Sequence, residues 1–135
     1  MNYFLAKTEP SSYSIEDLQA EGVATWNGVK NPQAIKFIKE MQPGDRVFIY
    51  HSGDNPGIAG LAEVVSEPEP DPKIKKSWTV DLKFLTSFDE IVTLQDIKAT
   101  KKFEDFRLVR QGRLSTMSVP EDFVEWLKKD KKLKF

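Results

Sequence analysis

The 135-residue chain is 39% hydrophobic and 30% charged, with a formal net charge of −1, the balance expected of one soluble domain. It has no cysteine and a single histidine, which excludes disulfides, thiolate metal sites and His-rich metal centres. No apolar run approaches the ~18 residues a bilayer span needs, and Met1–Lys7 is too short and too polar beyond Leu5 for a signal peptide, so no membrane contact and an intracellular, cytoplasmic location are expected.

In chain order, Tyr3 to Lys7 reads as a short strand stopped by Glu9-Pro10. Ser14 with Asp17 three residues on is a helix start, and the helix ends near Gly22. Asn31-Pro32 opens a second helix, with Ala34, Phe37, Ile38 and Met41 at helical spacing. Pro43-Gly44-Asp45 is a turn, Val47 to Tyr50 a buried-type strand, and Ile58 to Ser66 the next strand. Glu67 to Pro72 alternates acid and proline and reads as an extended linker. Trp78, Val80, Leu82 and Phe84 share one face of a further strand.

Thr93 to Asp96 caps a short helix. Leu108 to Ser115 is expected to be a strand, a turn at Gly112 and a return. Ser118 is expected to cap the last helix, whose stripe is Phe123, Val124, Trp126 and Leu127. The periodic stripes place Trp78 and Trp126 in the core. Strands and helices do not alternate as βαβ units, so a small, mostly antiparallel α+β barrel is expected rather than a parallel wound sheet.

The charge is uneven. Residues 1–72 carry 5 Lys/Arg against 11 Asp/Glu, whereas residues 73–135 carry 15 against 10. That asymmetry can build a basic face on a near-neutral protein. The lysines from 128 to 134 serve such a face or form a solvated tail.

Nucleophilic catalysis has little support, since there is no cysteine and no G-x-S-x-G elbow. His51 would have to serve any Ser-His-Asp site, and Ser52 beside it points to the other face of a strand. Gly57 and Gly60 do not form a nucleotide-phosphate loop. Carboxylate neighbours such as Glu16/Asp17 and Glu104/Asp105 read as solvated surface.

Binding has more support. Trp26 lies outside the periodic stripes, so it either plugs the core or walls a pocket. Gly28 lets the backbone at Val29 come close to a ligand. Asn31 either caps the helix or reads a base edge. Arg110 and Arg113 flank Gly112 and either clamp phosphate or are simply solvated. Rings, hydroxyls, amides and glycines in the segments Trp26–Asn31, Phe48–Ser52 and Gly57–Val64 are the composition of a pocket for a flat, hydrogen-bonding ligand.

These segments carry a resemblance. Lys7-Thr8-Glu9-Pro10, Trp26-Asn27-Gly28-Val29-Lys30-Asn31-Pro32-Gln33-Ala34, Gly44-Asp45 with Phe48-Ile49-Tyr50-His51-Ser52, Gly57-Ile58-Ala59-Gly60 with Ala62-Glu63-Val64-Val65, Pro70-Asp71, and Leu108 to Ser115 resemble, in order, the motifs of the EVE domain. Lys30 stands where arginine is usual, Thr8 where serine is common, and the stretch from Asp71 to Trp78 is short. The resemblance spans nearly the whole chain and implies a single domain over residues 1–135.

It also implies a PUA-like, mostly antiparallel β pseudo-barrel with short flanking helices, related to YTH domains. Such domains take a flipped-out, modified base: a modified cytosine in DNA, or a modified RNA base in some members. On that resemblance, Trp26 is a stacking wall, Gly28, Val29 and Asn31 form the edge-reading region, and Tyr50, His51, Ser52 and Ser115 line the pocket. Lys7, Lys30, Arg110 and Arg113 meet backbone or phosphate.

The sequence reading is therefore a non-enzymatic reader of a modified base in DNA or RNA. No cofactor, no catalytic residue and no metal ligand is expected. With so little net charge, affinity is expected to be modest without a partner protein or a second domain. The alternatives are a sensor or enzyme for a free nucleobase-like metabolite, and an interaction domain whose pocket is filled by its own side chains.

Overall fold

The computed structural model describes residues 1–135. Its first strand, β1 (Tyr3–Thr8), buries Phe4, Leu5 and Ala6 in succession, so both of its faces are covered. It pairs in parallel with β3 (Arg46–His51) and antiparallel with β7 (Thr116–Ser118). β4 (Gly57–Val64) pairs antiparallel with β3 and with the long β6 (Trp78–Thr93), which holds β2 (Val23–Trp26) along its other edge. The sheet order is β2-β6-β4-β3-β1-β7, and β5 (Glu69–Pro70) lies off this path against the start of β6. One parallel pairing among antiparallel ones is the mostly antiparallel α+β architecture expected from the sequence.

Two register shifts between β4 and β6, at Ile58–Gly60 and Leu61–Ala62, bend the ladder. The curled sheet brings residues of β2, at one end, and of β1, next to the other end, to a single cleft. Helices pack around it as their sequences dictate. α1 (Ile15–Glu21) starts in a reciprocal capping box between Ser14 and Asp17 and stops at Gly22, whose φ is +81°. Its Ile15 rests on Gly60, where an added Cβ would stand 2.6 Å from the Ile15 side chain and from the Thr86 carbonyl oxygen. Glycine is needed there for close approach. α2 (Pro32–Glu40) is capped by Asn31 and buries Ala34, Ile35, Phe37 and Ile38. α3 (Leu94–Ala99) is capped by Thr93, and α5 (Glu121–Lys129) buries Phe123, Val124, Trp126 and Leu127.

Four expectations are corrected. Leu108 to Ser115 is not a hairpin: Arg107–Arg110 forms one helical turn, α4, and pairing begins only at Thr116. The cause is tertiary, since Phe106 and Leu108 are both buried and Phe106 packs 4.8 Å from Phe123. Ser118 does not cap α5. It lies in β7 opposite Phe4, and Pro120 precedes the helix with no side-chain cap. The acidic linker contains a strand, because Glu69–Pro70 pairs with Thr79 and Trp78 at a sheet edge, where proline's missing N–H is tolerated.

Trp78 is half-buried rather than core, with the Lys39 ammonium 5.0 Å above its ring. The lysine-rich C-terminal stretch is only partly solvated. The Leu133 N–H donates to the Leu127 carbonyl at 3.0 Å, and the Phe135 ring packs 5.5 Å from Phe48. Lys131 pairs with Asp96 at 2.9 Å.

Candidate functional site

The cleft has a volume of about 480 Å³, inside the roughly 300–1,000 Å³ range of small-ligand sites. Its first wall is Ala24, Thr25 and Trp26 of β2 and the segment Asn27 to Lys30 that follows. Its second is Lys7 and Thr8 at the end of β1 together with Ser115. Tyr13 and Glu21, from the two ends of the α1 region, complete it.

Trp26 is half-buried at the end of β2, with Tyr13 edge-on to it, ring centroids 6.1 Å apart at 79°. Strand alternation puts Ala24 and Trp26 on the same face. Gly28 has a φ of +78° and open space where a Cβ would be, so its conformation, not crowding, calls for glycine.

The segment is fastened from behind by the loop between β5 and β6. Ser77 is buried and its hydroxyl donates to the Val29 carbonyl. The Asp71 N–H donates to the Ser77 carbonyl at 2.8 Å, closing the loop on itself. The Asp71 carboxylate accepts from the N–H of Lys73 at 2.8 Å and of Ile74 at 3.3 Å. The Lys73 N–H, then those of Gly28 and Ile74, hold the Asp71 carboxyl below its ordinary pKa. Lys73, Lys75 and Lys76 stand exposed on this loop, next in space to the Gly28–Val29 wall.

Of the residues named from the sequence, Trp26, Gly28, Val29, Ser115, Lys7 and Lys30 line the cleft. Asn31, Tyr50, His51, Ser52, Arg110 and Arg113 do not. The Asn31 side chain caps α2, accepting from Gln33 N–H at 2.9 Å and Ala34 N–H at 3.1 Å. Tyr50 and His51 are buried because β3 lies inside the sheet, with neighbours on both sides. His51 Nε2 accepts the N–H of Ile15 at 3.0 Å, which assigns the ring proton to Nδ1 when the ring is neutral. Ser52 donates to the Thr8 carbonyl at 3.3 Å and to Glu9 at 3.2 Å. These residues fix the first residue of α1 and the end of β1, and so position Tyr13, Thr8 and Lys7 from behind.

Lys7 Nζ donates to the Gly112 carbonyl at 2.8 Å and lies 5.4 Å from the Tyr50 ring centre. Burial lowers the Lys7 pKa and pushes the Tyr50 phenol up to about 12. The lysine also ties the Gly112 turn to β1, beside Ser115, whose carbonyl accepts the Lys7 N–H at 2.8 Å. Arg110 faces a separate small hollow with Asp105, Arg107 and Gln111. Arg113 is exposed on the turn.

Tyr13, Glu21, Ala24, Thr25, Asn27 and Thr8 belong to the cleft without having been singled out as site residues. Ala24, Thr25 and Asn27 adjoin Trp26 in the chain and were within reach of sequence reasoning. Tyr13 and Glu21 meet Trp26 only through the docking of α1. A second hollow, of about 370 Å³, is bordered by Phe103, Phe106, Val119 and Pro120. The charges at its mouth, Lys102, Asp105, Arg107 and Asp122, alternate in sign, and no half-exposed ring forms a stacking wall there.

A curled, mostly antiparallel sheet with a cleft where its ends approach, closed by short helices, defines a PUA-like domain. More narrowly, the chain belongs to the EVE domain family, whose model matches residues 2–129. It is 36% identical to thymocyte nuclear protein 1 of Rattus norvegicus, across 72% of this chain and 55% of that one. The chain thus spans about half the length of the curated relatives it matches.

Among solved structures it is similar to human THYN1 protein in complex with 5-methylcytosine-containing DNA, with a TM-score of 0.87, 26% identity and 100% of both chains covered. It is also similar to a protein of Rhodopseudomonas palustris, with a TM-score of 0.89, 34% identity and 100% of this chain and 97% of that one covered.

Proposed function

We propose that the cleft takes one modified base, foremost a 5-methylated cytosine, extruded from a DNA strand, and binds it without transforming it. A modified RNA base is the second nucleic-acid ligand the same geometry suits. The observation that carries this reading is Trp26: a half-exposed indole forming one wall of a cleft whose other lining, apart from Ala24, Gly28 and Val29, is hydroxyl, amide and charged groups. That the related human THYN1 protein was solved with 5-methylcytosine-containing DNA supports the choice of ligand.

Extruding a base costs a few kcal/mol. Stacking on one ring returns about 1–3 kcal/mol of it, and contacts to the base edge and backbone must supply the rest. Lys30 and the lysines at 73, 75 and 76 are the cations placed to meet phosphate near the Trp26–Lys30 wall. Binding without chemistry is favoured by His51, the only imidazole, which is buried and occupied by the Ile15 N–H, away from the cleft lining.

The test is titration of matched duplexes containing cytosine or 5-methylcytosine, followed by mass spectrometry of the recovered strand. Tighter binding of the methylated duplex with the base unchanged is expected. Equal binding of both duplexes would sink the modified-base reading, and a converted base would establish an enzyme.

A further inference from the structure

Glu21 is out of place in a cleft meant only to attract a polyanion. It ends α1 and puts a carboxylate in the same wall as Lys7 and Lys30. A negative charge there works against backbone phosphate, so its position calls for another partner. Beside it is the Tyr13 hydroxyl, shielded from solvent and without a hydrogen-bond partner of good geometry in the folded chain. Burial first, then the nearby Glu21 carboxylate and the charge of Asp17, raise the Tyr13 pKa well above its ordinary value. Tyr13 is therefore a neutral O–H at physiological pH. The wall offers an acceptor, Glu21, beside a donor, Tyr13, at the edge of the indole that would stack the ligand.

Resting on the base-binding reading above, we propose that Glu21 and Tyr13 form the edge-reading pair of this cleft, selecting bases with an exocyclic amine next to a ring nitrogen acceptor. Cytosine presents that pattern, with an N4 amine to donate to Glu21 and N3 to accept from Tyr13. Thymine presents the reverse, a carbonyl oxygen and a ring N–H. Its O4 would face the Glu21 carboxylate, lone pair against lone pair, and its N3–H would require the Tyr13 hydroxyl to turn and accept instead of donate. The pair thus discriminates as much by refusing the keto base as by holding the amine. Stacking on Trp26 alone cannot make the distinction, since every base has a π-face.

The probes are two duplexes that differ at one position, 5-methylcytosine or thymine, each opposite an abasic site so that neither target is base-paired. Both carry the same 5-methyl group. The wild type should prefer 5-methylcytosine by about tenfold or more, the discrimination of one good edge contact. Glu21→Gln, at an exposed position, should cut that ratio to about threefold or less and improve thymine binding, because the amide can donate to O4. Tyr13→Phe keeps the ring against Trp26, removes only the hydroxyl, and should also lower the ratio.

Unchanged ratios in both variants, with the wild type still preferring 5-methylcytosine, would overturn the assignment of the pair while leaving the base-binding reading intact. A wild type that binds both duplexes no better than one lacking any methylated base would overturn both. Fallen ratios in both Glu21→Gln and Tyr13→Phe, with unaltered binding of a duplex without a target base, would uphold the pair, and a fall in one variant only would overturn the role of the other residue.

Discussion

Trp26 and Trp126 are the same side chain put to opposite uses. Trp126 is buried in an aromatic cluster, 5.5 Å from Phe103 and 5.6 Å from Phe123 by ring centroids. Trp26 is half-buried, meets one ring edge-on, and looks into a cleft. A helical stripe with Phe123, Val124 and Leu127 dictates the first environment. The second arises where a four-residue edge strand ends and the chain turns through Gly28. An aromatic residue that belongs to no stripe thus marks an open cleft here, which aromatic content in general does not.

The contrast can be broken most forcefully at Trp126. Trp126→Ala should cost about 3–5 kcal/mol of stability, because the cluster cannot close over the missing indole. Chemical denaturation measures this, and the affinity of the remaining folded protein for methylated DNA should be unchanged. Trp26→Ala should do the opposite, losing about 1–3 kcal/mol of affinity, one stacking platform, with much less effect on denaturation. A large loss of stability with unaltered affinity in Trp26→Ala would erase the distinction between the two regions.

The two regions were also not equally readable. Three of the five helix starts are legible because each is a local hydrogen bond between a side chain and a backbone N–H, Ser14 with Asp17, Asn31 with Gln33 and Thr93 with Asp96, whereas α4 and α5 have no side-chain cap to read. The turn at Arg107–Arg110 was misread because Leu108-Val109 is too short an apolar run to distinguish a strand from a helical turn, and packing of Phe106 on Phe123 decides. In the cleft, Trp26 to Lys30 is contiguous and could be seen. His51 and Tyr50 have the side chains of a binding site, yet they lie on a strand buried inside the sheet, and topology sends them to support rather than to contact. Glu21 carries no local signal of its own and reaches the cleft only through the docking of α1.

The open region around Trp26 has no aromatic cluster of its own and is held by single hydrogen bonds, whose loss has smaller effects. Ser77→Ala removes the hydroxyl that donates to the Val29 carbonyl. It should cost about 1 kcal/mol of stability, the usual net loss for one hydrogen bond, and should speed hydrogen exchange around Val29 more than around Trp126. Equal exchange changes in the two regions would mean that Ser77 supports the fold at large and not the cleft.

The gentlest perturbation is acid. The Asp71 carboxylate, held by the N–H groups of Lys73, Gly28 and Ile74, has a pKa below its ordinary value. A carboxyl whose folded-state pKa is depressed contributes fully above the unfolded value, near ~3.9, and that contribution fades as pH falls through the folded value. The Gly28 segment should therefore be unaffected by pH from neutrality down to about 4 on this account, and should loosen only below it. Asp71 is partly exposed, so the effect on global stability is small, and the amide NMR signals of Gly28 and Lys73 are the right probes. Both should titrate together below the ordinary carboxylate range in the wild type and stay still in Asp71→Asn. The amide of Leu5, fully buried in β1 between Phe4 and Ala6 and with no carboxylate within three residues in the chain, is the internal reference. If the Gly28 signal moved no more than that reference, the loop would not be what holds the cleft wall in place.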